Sequence, residues 1–122
     1  MTDKINIDEK FSLFSEHWRP KIVADLNGQE LKLAKLHGEF PWHSHANEDE
    51  LFLVWKGNLK MQFRDKTVEL SEGESIVVPK GVEHSPLAED ECLVLLLEPA
   101  GLKNSGTADV DAQYDAPMDG RM

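Results

Sequence analysis

The most informative segment of the chain is residues 38–57, GEFPWHSHANEDELFLVWKG. It contains two histidines one residue apart, His43 and His45, and a carboxylate, Glu50, five positions after the second. Because successive side chains of an extended strand alternate between its two faces, the two imidazoles point the same way. Two imidazoles on one face, with a carboxylate brought back by a short turn, are the ligands that a borderline divalent metal ion needs.

A further candidate ligand lies in residues 73–84, GESIVVPKGVEH. A short apolar strand, a proline and a glycine turn lead to His84 at the end of this segment. Fifteen residues separate Gly57 from Gly73. This spacing leaves room for one hairpin that returns the chain to the two histidines.

These two segments resemble the two sequence motifs of the cupin family. The first motif is G-x(5)-H-x-H-x(3,4)-E-x(6)-G, and Gly38 stands one residue closer to the histidines than it prefers. The second is G-x(5)-P-x-G-x(2)-H-x(3)-N, and Ala88 stands where it has Asn. The other matching positions are His43, His45, Glu50, Gly57, Gly73, Pro79, Gly81 and His84. More narrowly, the chain resembles small stand-alone cupins labelled mannose-6-phosphate isomerase-like, a label that describes fold kinship and not activity.

The resemblance implies an all-β fold, the double-stranded β-helix or jelly-roll barrel, with one bound divalent metal ion. The metal ligands that it implies are His43, His45, Glu50 and His84. Fe, Mn, Ni, Co and Zn all suit such a set, and its open positions would take a bidentate oxygen ligand. Glu48 and Asp49 are rival carboxylates in the same turn. Glu50 is preferred because it begins a strand on which Phe52 and Val54 share its face.

The barrel interior is expected to form the walls of a small-molecule pocket, with Trp42 at its mouth. The candidate lining residues are Trp42, Phe52, Val54, Leu59, Met61, Phe63, Ile76 and Val78. An ordinary packed barrel core would use the same side chains. Apolar walls suit a small, partly aromatic or enolic ligand better than a sugar phosphate, because phosphate favours arginine and the chain has only three.

Short strands between Gly, Pro, Asn and Asp make up most of the chain, as in an all-β barrel. They are expected at residues 21–26, 29–37, 50–55, 59–64, 67–70, 75–78, 84–88 and 92–98. Asn27-Gly28 predicts a type I′ hairpin turn, and a slip in the alternation at residues 34–36 predicts a β-bulge. Residues 7–15 are expected to form a short amphipathic helix with an Asn6 capping box.

Three segments are predicted. Residues 1–20 are the N-terminal helix and connector, residues 21–99 the cupin barrel, and residues 100–122 an extended or partly disordered tail. Trp18 is expected to fill the gap between helix and sheet. The residues expected to pin parts of the tail to the barrel are Leu102, Val110 and Tyr114.

The helix must dock on something, because so short a helix is not stable by itself. The outside of the barrel and a partner subunit are both compatible with the sequence. The apolar surface of the helix and of Trp55 favours a homodimer. In the second strand, Leu31 and Leu33 alternate with Lys32, which predicts a strand with one buried face.

Composition limits the partners and the compartment. The formal net charge is −10, from 23 acidic and 13 basic residues, so neither nucleic acid nor an anionic membrane surface is an expected partner. The sequence has no signal-peptide pattern and no apolar run near the roughly 20 residues of a membrane span, which predicts a cytoplasmic protein. The single cysteine, Cys92, precludes an internal disulfide and is expected to be a small buried hydrophobe.

Three functions are compatible with these features. The first, placed slightly ahead, is a metal-dependent oxygenase acting on a small metal-chelating substrate. The second is a non-catalytic protein that binds a sugar or small acid and uses the metal ion as an anchor. The third is a sugar isomerase or epimerase, which would need a His–Tyr acid/base pair, whereas the only tyrosine, Tyr114, lies in the tail.

Overall fold

The fold is one antiparallel sheet preceded by a short helix. The computed structural model describes residues 3–102, 106 and 120–122. Its elements are α1 (Ile7–Phe11), β1 (Lys21–Leu26), β2 (Gln29–Glu39), β3 (Glu50–Lys56), β4 (Leu59–Phe63), β5 (Thr67–Leu70), β6 (Ser75–Val78) and β7 (His84–Pro99). The predicted all-β architecture is confirmed. In the described part of the chain, no helix is long and apolar enough to cross a membrane.

β7 is the strand on which the sheet is built. Its sixteen residues pair with β2, β3 and β4, and the strand order is β1-β2-β7-β3-β6, with β4 pairing β5 and β7. In the C-terminal half of β7, Leu96 lies opposite Lys32 of β2 and Phe52 of β3. In its N-terminal half, Leu87 lies opposite Lys60 of β4. Because β7 changes partner from β3 to β4 along its length, the sheet curls around an interior.

The structure joins the two predicted C-terminal strands into one. The polar residues 89–91, which separate them in the sequence, are exposed. They lie at a register shift, where Leu36 of β2 pairs with Cys92 and Gly38 pairs with Ala88. Three residues of β7 therefore lie opposite one residue of β2, and a bulge of this kind exposes charged side chains without ending the strand. The bulge was predicted at residues 34–36 of β2, but the register shift lies at Leu36–Gly38 and the extra residues belong to β7.

The hairpin turn between β1 and β2 is confirmed. Asn27 and Gly28 have φ values of 50° and 81°, and both central residues of a type I′ turn need positive φ. Beyond this turn, β2 departs from the expected alternation, because both of its faces are buried. Lys32 and Leu33 are each 0% exposed, with Lys32 on the inner face of the sheet.

Leu33 is buried because α1 docks on the outer face of the sheet, one of the two positions left open for the helix. Phe11, Phe14 and Leu33 form a buried cluster, and the indole N–H of Trp55 donates to Asp8 of the helix at 2.7 Å. The helix is shorter than predicted and ends at Phe11, and Asn6 caps it by accepting the N–H of the third helical residue. The helix and Trp55 therefore cover each other within one chain, and the homodimer stays a prediction.

The main core lies inside the sheet and includes Trp18. The indole N–H of Trp18 donates to the carbonyl of His37 at 3.0 Å, and its ring lies 5.0 Å from that of Phe40. Cys92 is buried here, as predicted, and burial raises the pKa of its thiol to about 11. A thiol with so high a pKa is a structural side chain, because the thiolate is the reactive form.

The C-terminal residues pair with the edge of the sheet, which was not predicted from the sequence. The N–H of Ile22 in β1 donates to the carbonyl of Gly120, and the N–H of Met122 donates back to Ile22 at 3.0 Å. The guanidinium of Arg121 binds Asp25 through two hydrogen bonds of 3.0 Å. Of the three residues expected to pin the tail, Leu102 is buried, while Val110 and Tyr114 lie outside the described residues.

A prediction concerns Gly57, which has φ of 94° and lies against β7. A Cβ at this position would lie 3.0 Å from the carbonyl oxygen of Glu91 and 3.3 Å from Cα of Cys92. We expect Gly57→Ala to lower the free energy of unfolding by roughly 2–4 kcal/mol, because left-handed strain and backbone crowding add. Denaturant unfolding of the purified variant measures this loss.

The matched control is Gly73→Ala. Gly73 has φ of 84°, and a Cβ added there would meet nothing within 4 Å, so only the left-handed strain applies. Its expected loss is about 1–2 kcal/mol. Equal losses in the two variants would show that the close approach of Gly57 to β7 contributes nothing.

Candidate metal centre

Backbone hydrogen bonds bring the two histidine segments together. His43 and His45 lie in the loop between β2 and β3, and His84 is the first residue of β7. The N–H groups and carbonyls of His43 and His84 bond reciprocally, at 3.0 and 2.9 Å. The N–H of Gly81 donates to the carbonyl of His45 at 2.8 Å. Segments far apart in the sequence are thus held in register, with Glu50 beside them at the start of β3.

The four predicted ligands meet in one buried cluster. His43, His45, Glu50 and His84 each offer a ligand atom, and these atoms all lie within 4.8 Å of one another. Oε1 of Glu50 lies 3.4 Å from Nε2 of His45 and 3.5 Å from Nε2 of His84. Two ligand atoms that each bind one ion at about 2.0–2.2 Å stand roughly 3–3.5 Å apart. The cluster could therefore hold a metal ion.

The histidine tautomers suit metal coordination. Nδ1 of His43 lies 2.9 Å from the carbonyl of Pro41, and Nδ1 of His84 lies 2.9 Å from that of Val82. A carbonyl can only accept, so each Nδ1 carries the hydrogen and each Nε2 keeps a lone pair. Hydrogen bonds of this kind orient histidine ligands in metal sites.

Several buried polar atoms of the cluster have no hydrogen-bond partner among the described residues. They are Oε1 of Glu50, Nε2 of His84, and both ring nitrogens of His45. Buried polar atoms are nearly always paired, so an unpaired group of them requires an explanation. A cation bound between these atoms would satisfy them.

The electrostatics of the cluster favour a neutral imidazole next to an ionised carboxylate. Burial, together with the neighbouring His84, lowers the pKa of His43 to about 4. Burial alone would raise the pKa of Glu50, but the imidazoles of His45 and His84 close to its carboxylate hold this pKa below its usual value. Neutral imidazole and carboxylate are the forms that bind metal ions.

The rival carboxylates lie elsewhere. Oδ1 of Asp49 accepts the backbone N–H of Lys80 at 2.9 Å. Glu48 lines a cleft together with His45, Ala100 and Leu102, but its carboxylate is not part of the cluster. Glu50 is the carboxylate that is buried among the three histidines, which supports its choice over the other two.

An apolar cleft lies next to His43 and Glu50. The cleft is narrow, and part of it is open to solvent. Its walls include the side chains of Trp18, Phe40, Phe52, Pro86 and Leu96. Of these, only Phe52 was predicted to line a pocket. Trp18 and Phe40 lie outside the regular strands, so strand periodicity gave no signal for them.

The other seven predicted lining residues lie elsewhere. Four of them pack in the interior core: Val54, Leu59, Met61 and Val78. Phe63 and Ile76 are half-buried against that core and line a separate surface groove. The ring of Trp42 is half-buried, with the guanidinium of Arg64 at 4.0 Å from its centroid. Strand parity identified inward side chains but not which of them border open space.

Two charged residues close to the cluster were not predicted from the sequence. Glu98 of β7 and Lys32 of β2 are both 0% exposed. Nζ of Lys32 lies 3.1 Å from Oε1 of Glu98, close enough for an ion pair but without the alignment of a hydrogen bond. Burial and contact with the Glu50 carboxylate raise the pKa of Glu98 well above its usual value. The sequence contained no signal for the inward position of Lys32, because its alternation with Leu31 and Leu33 set it on the face opposite those two leucines.

Comparison with solved structures shows the same fold in proteins of similar sequence. The chain is 49% identical to a cupin-2 domain-containing protein from Shewanella frigidimarina, with a TM-score of 0.77 over 78% of this chain and 93% of that one. It is 32% identical to a protein from Neisseria meningitidis, with a TM-score of 0.73 over 80% of this chain and all of that one.

Sequence comparisons agree with the structural ones. The uncharacterised protein YdbB of Bacillus subtilis is 37% identical over 79 residues, and the match spans 64% of each protein, less than two thirds of that relative. The profile of the Cupin_2 family, described as a cupin domain, matches residues 29–98. That segment is more than half of the chain and contains both histidine segments. The chain therefore belongs to the Cupin_2 family of cupin-domain proteins.

Proposed function

We propose that His43, His45, Glu50 and His84 together hold one divalent metal ion. The observation that carries this proposal is the buried cluster of four donor atoms within 4.8 Å of one another, in which three of the residues have unpaired polar atoms. Three imidazoles and a carboxylate are borderline and hard donors, which suit Fe, Mn, Ni, Co or Zn. When bound, such an ion supplies Lewis acidity and, if it is redox-active, reactivity towards O₂.

We infer further that the centre acts as an oxygenase on a small substrate that chelates the ion. The apolar cleft supports this, because His43 and Glu50 are the only ionisable side chains on its described walls. Both are assigned to the ion, so no side chain on those described walls is left to act as a general acid or base. An epimerase or isomerase would need such a group. The metal ion is therefore the part of this site that would carry out a reaction.

The walls of the cleft define the class of substrate. The rings of Trp18, Phe40 and Phe52 offer flat apolar contact and exclude water from the side of His43. A ligand of matching chemistry has an aromatic or unsaturated body and two oxygens that point at the metal site. A sugar phosphate fits poorly, because no arginine or lysine lies on the described walls.

Removing one imidazole is expected to abolish tight metal binding while the sheet still folds. His43→Ala and His84→Ala each remove one donor from the set, whereas His37→Ala, an exposed histidine outside the cluster, is the matched control. Elemental analysis of untagged protein purified without chelator measures the metal content, and circular dichroism checks the fold. Stoichiometric metal in both cluster variants would contradict the ligand assignment.

The same measurement tests the choice of carboxylate. We expect Glu50→Gln to weaken metal binding less than loss of an imidazole, because three nitrogen donors remain. Glu48→Gln is the control and should leave metal affinity unchanged, because Glu48 lies outside the cluster. A larger loss in Glu48→Gln than in Glu50→Gln would transfer the role to Glu48.

The oxygenase assignment predicts O₂ consumption. Wild-type protein loaded with Fe(II) should take up O₂ in the presence of a small diol, enol or thiol, and His84→Ala should not. An oxygen electrode with a panel of such compounds measures this. Saturable binding of a panel member with no O₂ uptake, under any of the candidate ions, would instead assign the protein to the non-catalytic binding class.

The depressed pKa of His43 predicts a pH dependence for the metal-free protein. Folded His43 resists protonation down to about pH 4, whereas in the unfolded chain it titrates near its ordinary 6.5. The unfolded state therefore binds more protons between these values, and stability is fully present above pH 6.5 and lost as the pH falls to 4. The lost free energy of unfolding is about 3 kcal/mol.

Urea unfolding in the presence of EDTA, across this pH range, measures the effect. His43→Gln should flatten the pH profile relative to wild type, whereas the exposed-site variant His17→Gln should follow it. Parallel profiles for wild type and His43→Gln would contradict the predicted environment of His43.

A further inference from the structure

Three buried carboxylates stand side by side on the inner face of the sheet. Glu30 of β2 lies opposite Glu98 of β7, and Leu51 of β3 lies opposite Leu97 of β7. Continuing that antiparallel ladder by one residue places Glu50 next to Glu98 on its other side. The carboxylate of the proposed metal site is therefore the last member of a row that crosses three neighbouring strands.

Such a row needs charge compensation. Glu30, Glu50 and Glu98 are 6%, 3% and 0% exposed, and like charges directly opposite each other destabilise a sheet. Lys32 is the only buried lysine or arginine in the described part of the chain. Its Nζ lies 3.1 Å from Glu98 and 3.5 Å from Glu30. Lys32 thus compensates Glu98, the middle carboxylate of the row, and Glu30. Its ion pairs among the described residues do not include Glu50, the proposed metal ligand.

Glu98 connects this ion pair to the metal site. Across the β3–β7 ladder its carboxyl group lies beside that of Glu50, which in turn faces His45 and His84. Neither oxygen of Glu98 has a hydrogen-bond partner among the described residues. The side chain therefore lies between Lys32 on one side and Glu50 on the other.

We propose that Glu98, held in place by Lys32, is a positioning residue that fixes the orientation of the Glu50 carboxylate towards the metal site. This inference rests on the proposed metal-binding function. An apolar pair of similar size would fill the interior at equal or lower free energy, because burying a lysine and a glutamate requires their desolvation. The pair therefore has its use in the geometry of Glu50, because side chains beside metal-binding residues orient those ligands.

The test separates positioning from simple packing. Glu98→Gln keeps the shape and a polar end beside Glu50, whereas Glu98→Met keeps the size and removes the polar end, and Lys32→Met/Glu98→Met removes the whole pair and leaves no unpaired lysine. The matched control is Lys60→Met/Glu89→Met, an exposed ion pair that joins β4 to β7. The readouts are the dissociation constant for Mn(II) and Co(II), the visible spectrum of the bound Co(II), and the thermal midpoint of the metal-free protein.

We expect the affinity for metal ions to fall while the thermal stability of the metal-free protein stays the same or rises. Glu98→Met and the double variant should bind both ions about 10–100-fold more weakly, with a changed Co(II) spectrum. The metal-free double variant should melt at the wild-type temperature or above it, because the desolvated pair is gone. Glu98→Gln should stay within about threefold of wild type, since an amide of the same shape remains beside Glu50. The surface control should change neither readout.

Two other results would overturn the inference, and they differ from each other. Tight wild-type binding with equally tight binding and the same Co(II) spectrum in Glu98→Met and in the double variant overturns the positioning role alone. Wild-type protein that takes up neither ion overturns the proposed metal-binding function and the positioning role with it. If Glu98→Met fails to fold, the double variant and Glu98→Gln decide between these results.

Discussion

Two reciprocal backbone hydrogen bonds between His43 and His84 are the interaction on which the site depends. They tie the loop after β2 to the first residue of β7, and β7 is the strand that pairs with three others. These bonds are made by the backbone. They fix the positions of the two histidine main chains, from which the imidazoles project, and they use no imidazole nitrogen. The ring nitrogens are left for other partners, and Nδ1 of both residues donates to a nearby carbonyl.

The inside of the sheet is divided into a charged end and an apolar end. The charged end contains the histidines, Glu50, and the Lys32–Glu98 pair, whereas Val54 and Met61 belong to a conventional core. The apolar part stabilises the fold through burial. The charged part is stable only where charges and hydrogen-bond donors compensate one another. The fold therefore supports a polar site whose groups are held by rigid strands, which is what precise ligand geometry requires.

The chemistry open to such a site follows from what its side chains are already doing. The two ionisable residues on the described cleft wall, His43 and Glu50, are both candidate ligands, so the cleft itself contributes shape, apolar contact and exclusion of water. The outer face of the sheet serves for packing against the N-terminal helix. There α1 and Trp55 cover the strands, so the inner site and the outer packing are built from opposite faces of the same strands.

The sequence by itself determined the spacing of the ligand residues, most strand bounds and the turn at Asn27-Gly28, because these depend on local backbone preferences and short-range periodicity. The tertiary structure alone decided which inward side chains border open space, so Trp18 and Phe40 were missed and Val54 and Met61 were placed on a pocket wall. The tertiary structure also decided on which face of the sheet Lys32 lies. When both faces of a strand are buried, its sequence pattern no longer shows which face is the interior. That choice depends on the partners of β2, on α1 outside and on Glu98 inside, which lie far away in the sequence.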